Sequence, residues 1–301
     1  MSTPPPFLSV EARVAYLERK SYLFGSEPTQ EARERLNEVN FHYLLGYARN
    51  YRMLAAQGSV PTDDVLTRVF SIVDADRELA VVIFDALRQL EWKLRSLTVE
   101  HHCAHFPTTG CFLQPGHYRV FDPGQPPVEV LLEKYIRRSR EPYLIEHFDD
   151  GKAIEDLPLW TVVDTWTFGG LSRFICESGP APATGGPEVW LWKQIATALS
   201  VSVPTIQDKL RAITVLRNLV AHHGRLWMRP HASAVKFPKV FPTSVQRSIQ
   251  PRSTYMLLLA VAEMLGPRDA GNAFLDRIDA ILDRDTAYAL GIKTPIAKSA
   301  P

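Results

Sequence analysis

Between Val65 and Phe106 the chain contains neither glycine nor proline. A run of that length without a helix breaker is helical in its entirety or nearly so, because nothing in it interrupts the i to i−4 hydrogen bonds. It is long for one helix. The expectation is a helix of about 10 residues, a break near Asp74–Asp76, and a longer helix through Glu91 and Arg95. Pro61-Thr62-Asp63-Asp64 supplies the start, with Thr62 as the cap and two acids complementing the dipole.

The remaining segments repeat the pattern. Ser9 caps a helix whose Val10, Val14 and Leu17 share a face, and Thr29 caps another through Ala32, Leu36 and Val39. The aromatic stretch 40–47 (NFHYLLGY) reads as a buried helix. Residues 107–127 cluster Thr, Gly and Pro and read as a loop. Helical spacing resumes over 128–140, ending in Arg137, Arg138 and Arg140. The 157–160 segment opens an apolar helix that Phe168-Gly169-Gly170-Leu171-Ser172 breaks, before a short helix to Cys176. Segment 179–187 (GPAPATGGP) reads as the most flexible part. Helices follow over 189–199, 204–223, 254–265 and 272–283, with an irregular proline-rich piece at 230–251. No period-2 alternation appears, so the expected class is all-α, a multi-helix bundle with irregular loops. The division anticipated is a disordered tail at 1–8, one helical domain at 9–266, and a C-terminal helix and tail at 267–301.

Composition narrows the chemistry. The net charge of +1 gives no global field toward nucleic acid or membrane, so any such surface is a local patch. Three cysteines without a CxxC pair argue against a disulfide framework. The opening MSTPPPFLS has no basic and apolar leader, and no run approaches the ~18 apolar residues of a membrane span. A soluble cytoplasmic protein is expected, with no cofactor, no metal and no membrane partner.

The densest chemistry lies in 216–227, LRNLVAHHGRLW. On a helical wheel Ile213, Leu216, Leu219, Val220 and His223 fall on one side. Arg211, Thr214, Asn218 and His222 fall on the other. Asn218 and His222 are i,i+4 neighbours. Arg217 sits on the flank, His223 points along the core stripe, and Gly224 supplies the C-cap. One reading is a helix end whose cations suit the dipole. The other is an Arg–His pair on a phosphodiester, with arginine as a fork for phosphate oxygens and histidine as a proton carrier near neutral pH. From Lys209 to Arg252 there is no Asp or Glu, while Lys209, Arg211, Arg217, Arg225, Arg229, Lys236, Lys239, Arg247 and Arg252 all occur. That segregation favours a phosphate ligand. Trp227, Phe237 and Phe241 lie within it and are suited to stacking on bases or to burial.

Arg217-Asn218 with Ala221-His222-His223-Gly224-Arg225-Leu226-Trp227 resembles the RN-x-x-AHH-x-RLW block of the Abi (abortive-infection, AbiD/AbiF-like) family of phage-defence proteins. Residues 40–47 resemble that family's N-Y-Y-R-L-x-G-Y segment, Glu91–Ser96 its E-x-x-x-R-S helix, and Pro158–Ser172 its P-x-W…F-G-x-L-S block. His42, Leu44 and Met228 depart from the pattern. The family is similar to the HEPN superfamily of all-helical domains, whose R-x4-6-H motif often forms a metal-independent RNase site across a dimer seam. The resemblance implies Arg217 on the phosphate, His222 as general acid or base, and Asn218 as the adjoining polar residue. Arg211, Arg225, Arg229, Lys236 and Lys239 are then RNA contacts, and Glu91, Arg95 and His223 support the site. The implied protein is a toxin-like endoribonuclease, a homodimer whose partner is RNA. The alternatives are a non-catalytic module holding a structured RNA, and a protein-interaction domain.

Two other clusters have simpler readings. His101-His102-Cys103-x-His105 has i,i+4 histidines but lacks a second ligand pair at familiar spacing, so a solvated helix end is preferred to zinc. Glu91 and Arg95 form either an ordinary helix-surface pair or a support in which Glu91 orients Arg217. There is no Walker A loop, GxGxxG, HExxH or GxSxG motif.

Overall fold

A computed structural model describes residues 7–119, 124–180, 188–232, 234–266 and 269–295. The flexible loop expected at 179–187, much of the N-terminal tail and the last residues lie largely outside these. Among the described residues fourteen α-helices follow one another: α1 Val10–Arg19, α2 Gln30–Arg35, α3 Phe41–Ala56, α4 Val65–Cys103, α5 Val128–Arg138, α6 Pro142–Asp149, α7 Leu159–Val162, α8 Phe168–Glu177, α9 Leu191–Ala198, α10 Ile206–Ala221, α11 Thr243–Arg247, α12 Thr254–Leu265, α13 Ala270–Leu282 and α14 Thr286–Lys293. There is no strand among the described residues; the only β pairing is two isolated bridges, Thr109 with Pro158 and Tyr118 with Ser178. The class is all-α, as the missing alternation implies.

The spine is α4. Its 39 residues run unbroken for about 58 Å at 1.5 Å per residue. The break expected near Asp74–Asp76 does not exist. Asp76 stays helical and turns its carboxylate into the core, where donors from other elements satisfy it. The start also differs. Asp64, in a left-handed conformation (φ 46°), precedes the first turn without a side-chain cap, and Thr62 is not the N-cap. Ser9, Thr29 and Asn40 do cap α1, α2 and α3 by accepting backbone N–H groups.

Helices α3, α9, α10, α12 and α13 all pack on α4. α12 is buried from Thr254 to Met264, as befits a helix apolar all round. Lys209 of α10 and Glu263 of α12 pair inside this core, with both side chains almost completely buried. The Phe168–Ser172 segment does not break a helix; it is the first turn and a half of α8, capped by Thr167. Gly170 lets the Tyr135 ring of α5 approach, since a Cβ there would lie 2.8 Å from Cε2. Three helices are absent from the sequence expectations: α6, α11 within the proline-rich 230–251 piece, and α14. Phe274, Ile278, Ile281, Tyr288 and Ile292 of α13 and α14 belong to the same hydrophobic core as α4. No helix among the described residues is long and apolar enough to cross a membrane.

Candidate phosphate-binding groove at the end of α10

Helix α10 ends at Ala221, two residues short of the spacing-based boundary. His222 is the C-cap and His223 takes a left-handed conformation (φ 54°). The His223 N–H bonds the Val220 carbonyl at 3.1 Å and the Gly224 N–H bonds the Leu219 carbonyl at 2.7 Å. These two bonds make a Schellman closure in which the left-handed position is held by histidine, not glycine. Gly224 is needed for a different reason: a Cβ there would lie 2.1 Å from Leu219 Cδ1. The wheel therefore fails for His223, while His222 is exposed as its polar face implies. His223 is exposed rather than on the core stripe, because the chain leaves helical geometry before reaching it.

The turn is fastened by Asp76. Its carboxylate accepts the Leu226 N–H at 2.9 Å and the Trp227 N–H at 3.0 Å. The hydroxyls of Tyr47 (2.7 Å) and Tyr288 (2.9 Å) donate to it as well. Burial pushes the Asp76 carboxyl up, and those four donors pull against it. Trp227 is fully buried. It stacks parallel to Tyr47 at 6.1 Å and donates its indole N–H to the Ala287 carbonyl at 3.0 Å. Gly291 of α14 lies flat against the indole, where a Cβ would sit 2.1 Å from Nε1. Arg225 is half-buried, donates to the Gly46 carbonyl and lies over the Tyr47 ring. Burial lowers its pKa.

On the outer side of this fastening, α3, α4 and the α10 terminus enclose a groove of about 660 Å³. Arg217 and His223 line it from α10, Arg77 and Arg88 from α4, and Tyr43 and Phe84 provide aromatic walls. Two carboxylates border the groove, and both are engaged. Asp76 has its four donors, and Asp85 pairs with Arg277 at 2.8 Å. Among the described residues none of Arg77, Arg88 and Arg217 has an acidic partner within 4.0 Å. A groove with three uncompensated guanidinium groups and no free carboxylate suits a polyanion.

The structure redistributes the expected residues. Arg217 is in the groove, but the histidine beside it is His223; His222 and Asn218 are exposed and do not line it. Arg225 serves the fold through Gly46, and so does Lys209 through Glu263. Arg211 is exposed and within 3.6 Å of Asp208. Arg229, Lys236 and Lys239 are exposed beyond the groove. Glu91 does not orient Arg217. Its carboxylate takes Arg95 at 2.7 Å, and Arg95 also donates to the Trp166 carbonyl at 2.9 Å. Trp227 is core rather than a base-stacking platform, and Phe237 and Phe241 pack partly into the core. Spacing missed Arg77, Arg88, Asp76 and Tyr288. The two arginines look like ordinary exposed helix residues, and Asp76 acquires its role only through partners at least 29 residues away.

These contacts join the sequence blocks in pairs. Residues 40–47 meet 225–227 through Gly46–Arg225 and Tyr47–Trp227, and Glu91–Arg95 meets 158–172 through Trp166. The model of the Abi-like protein family matches residues 34–228, which contain all four blocks. The chain belongs to the Abi-like family. It is thereby a protein of the abortive-infection type. No curated protein and no solved structure matches the chain. In this Abi-like protein the match stops at Met228, yet Tyr288 and Gly291, well beyond it, complete the seat of Trp227.

Proposed function

We propose that this Abi-like protein is a metal-independent endoribonuclease of phage defence, with RNA bound in the groove at the end of α10. The observation that carries this reading is that Arg217, without an acidic partner, and His223 line one cationic groove. Arg217 neutralises the scissile phosphate as negative charge builds on its oxygens. His223 takes the proton from a ribose 2′-hydroxyl. The 2′-oxygen then bonds to phosphorus, and the bond to the 5′-oxygen breaks with protonation of that oxygen. The products are a 2′,3′-cyclic phosphate and a 5′-hydroxyl. Arg77 and Arg88 hold flanking phosphates, while Tyr43 offers a face to bases. The chemistry of the groove agrees with metal independence: its carboxylates are already committed to donors, leaving none for a hard divalent ion.

The active form is a homodimer. Val81, Phe84 and Trp92, 67%, 47% and 57% exposed, recur along one face of α4 beside Arg88. A second copy seated there would bring two grooves together and supply the proton for the leaving oxygen. Acting on RNA, the protein works in the cytoplasm.

The test is RNA cleavage in excess EDTA by wild type, Arg217→Ala, His222→Ala and His223→Ala, with growth arrest on expression scored alongside. The expected result is cleavage lost in Arg217→Ala and His223→Ala and retained in His222→Ala. Salt-sensitive RNA binding without cleavage in the wild type would replace the nuclease by an RNA-holding module. Loss in His222→Ala alone would return the role to that residue.

A further inference from the structure

Away from the groove, three side chains with metal-binding atoms meet where α4 runs into the following loop. His102 is on the last turn of α4. Cys111 opens a short 3-10 turn (Cys111–Leu113), and His117 closes the next one (Pro115–His117). His102 Nε2 and His117 Nε2 are 3.3 Å apart, Cys111 Sγ is 3.8 Å from His102 Nε2, and all three atoms lie within 4.8 Å of one another. A tetrahedral zinc ion with nitrogens at about 2.0 Å and sulfur at about 2.3 Å would set its ligands about 3.3 Å (N to N) and about 3.5 Å (N to S) apart. Two edges of the triangle are therefore nearly those of a tetrahedral coordination face, and the third, from Cys111 Sγ to His117, is no longer than 4.8 Å. From its geometry we infer a zinc site of two histidines and one cysteine, His102, His117 and Cys111, with water in the fourth position.

The surroundings favour such an ion. His102 is fully buried, and its Nδ1 has no hydrogen-bond partner among the described residues. Its polar contacts are thus all at Nε2, which faces the other two ligands. Phe106 stacks on His102 at 4.7 Å, and Phe174 lies 5.2 Å from His102 and 5.9 Å from His117. This aromatic wall keeps competing polar groups away, and His117, only half-buried, leaves an entry path. Burial holds His102 and His117 neutral, the state in which imidazole binds a metal. The Cys111 thiol donates to the Pro107 carbonyl at 3.0 Å. On binding, the thiol proton leaves to solvent and its sulfur pair goes to zinc, so one proton is released per ion. The ion would pin the 104–119 segment to the end of α4. Sequence spacing singles out His101, His102, Cys103 and His105 with Cys111 not far away; of these His102 and Cys111 meet here, and His117 enters only because the loop folds back.

The experiment measures zinc in the purified full-length protein, removes it with chelator, and titrates cobalt(II). The expected result is one equivalent per chain, with visible bands of tetrahedral cobalt and a near-ultraviolet thiolate-to-cobalt band. Cys111→Ser should abolish the thiolate band and His117→Ala should weaken binding at least tenfold, with helical circular dichroism unchanged. A folded wild-type protein that takes up neither zinc nor cobalt overturns the site. So does a cobalt spectrum identical in wild type and His117→Ala, which would mark adventitious surface binding. The wild-type titration and the half-buried His117 variant decide the matter even if Cys111→Ser does not fold.

Discussion

The carboxylate of Asp76 accepts the backbone N–H of Trp227 at 3.0 Å across 151 positions of sequence. Through this bond and its companion to Leu226, the first third of α4 fixes the chain three and four residues after the histidine that lines the groove. The fold and the candidate site therefore share one buried group.

Asp76→Asn tests that coupling. Two backbone N–H groups and two tyrosine hydroxyls face the carboxylate, and an amide NH2 cannot accept from them. The loss should be about 3 kcal/mol of stability, as for a buried charged acceptor whose donors are stranded. Urea denaturation measures it. RNA affinity should also fall at temperatures where the variant is folded, because the 222–227 turn loosens. A variant as stable as wild type would show that the core does not depend on Asp76.

His223→Gly separates stability from chemistry. A left-handed residue with a Cβ is strained by about 1 kcal/mol, and glycine is not. The variant should melt at a higher temperature than wild type while losing RNA cleavage. Side-chain exposure argues that nothing in the core is removed. A lower melting temperature would mean that the imidazole makes a stabilising contact, and retained cleavage would remove His223 from the mechanism.

Much of the fold was legible because helix periodicity and caps are local. Ser9 and Thr29 read correctly from neighbours within a few positions. The uninterrupted α4 was misread at Asp76, whose acidic side chain looks like a break until its distant donors are known. The site was legible to one turn. Arg217 falls within regular helix, where the wheel applies, whereas His223 lies past its end, where the wheel assigns a core face that does not exist. Tyr288 and Gly291 carry no local signal at all. Their roles depend on α14 returning to Trp227, a tertiary contact outside the family match.

Phe84→Asp addresses assembly. Phe84 is 47% exposed between Val81 and Trp92 on one face of α4, so a charge there should cost the isolated fold less than about 1 kcal/mol. In a dimer that buries this stripe, an unpaired carboxylate is far more costly. Sedimentation velocity at micromolar concentration should show a dimer for wild type and a monomer for the variant. A wild-type monomer, or a variant that still dimerises, would place any self-association elsewhere.

Acid should destabilise the protein well before its carboxylates titrate in bulk. Burial lowers His102 to about 3 and His117 and His231 to about 4, with Arg229 and Arg252 adding to the effect on His231. An unfolded histidine takes its proton near ~6.5. These folded pKa values are depressed by holding the neutral form, so the unfolded chain binds more protons below ~6.5. Stability is then full above that pH and falls as pH drops toward 4. Asp76, raised by burial, works in the opposite sense, but one carboxyl opposes three histidines. Urea midpoints in chelator-containing buffer between about pH 7 and pH 5 should decline steadily. His231→Gln should reduce the slope by about one proton, since the backbone bond from His231 to the Arg252 carbonyl (2.9 Å) survives the change. A midpoint that stays level across this window would mean the histidines are protonated in the fold, contrary to their burial.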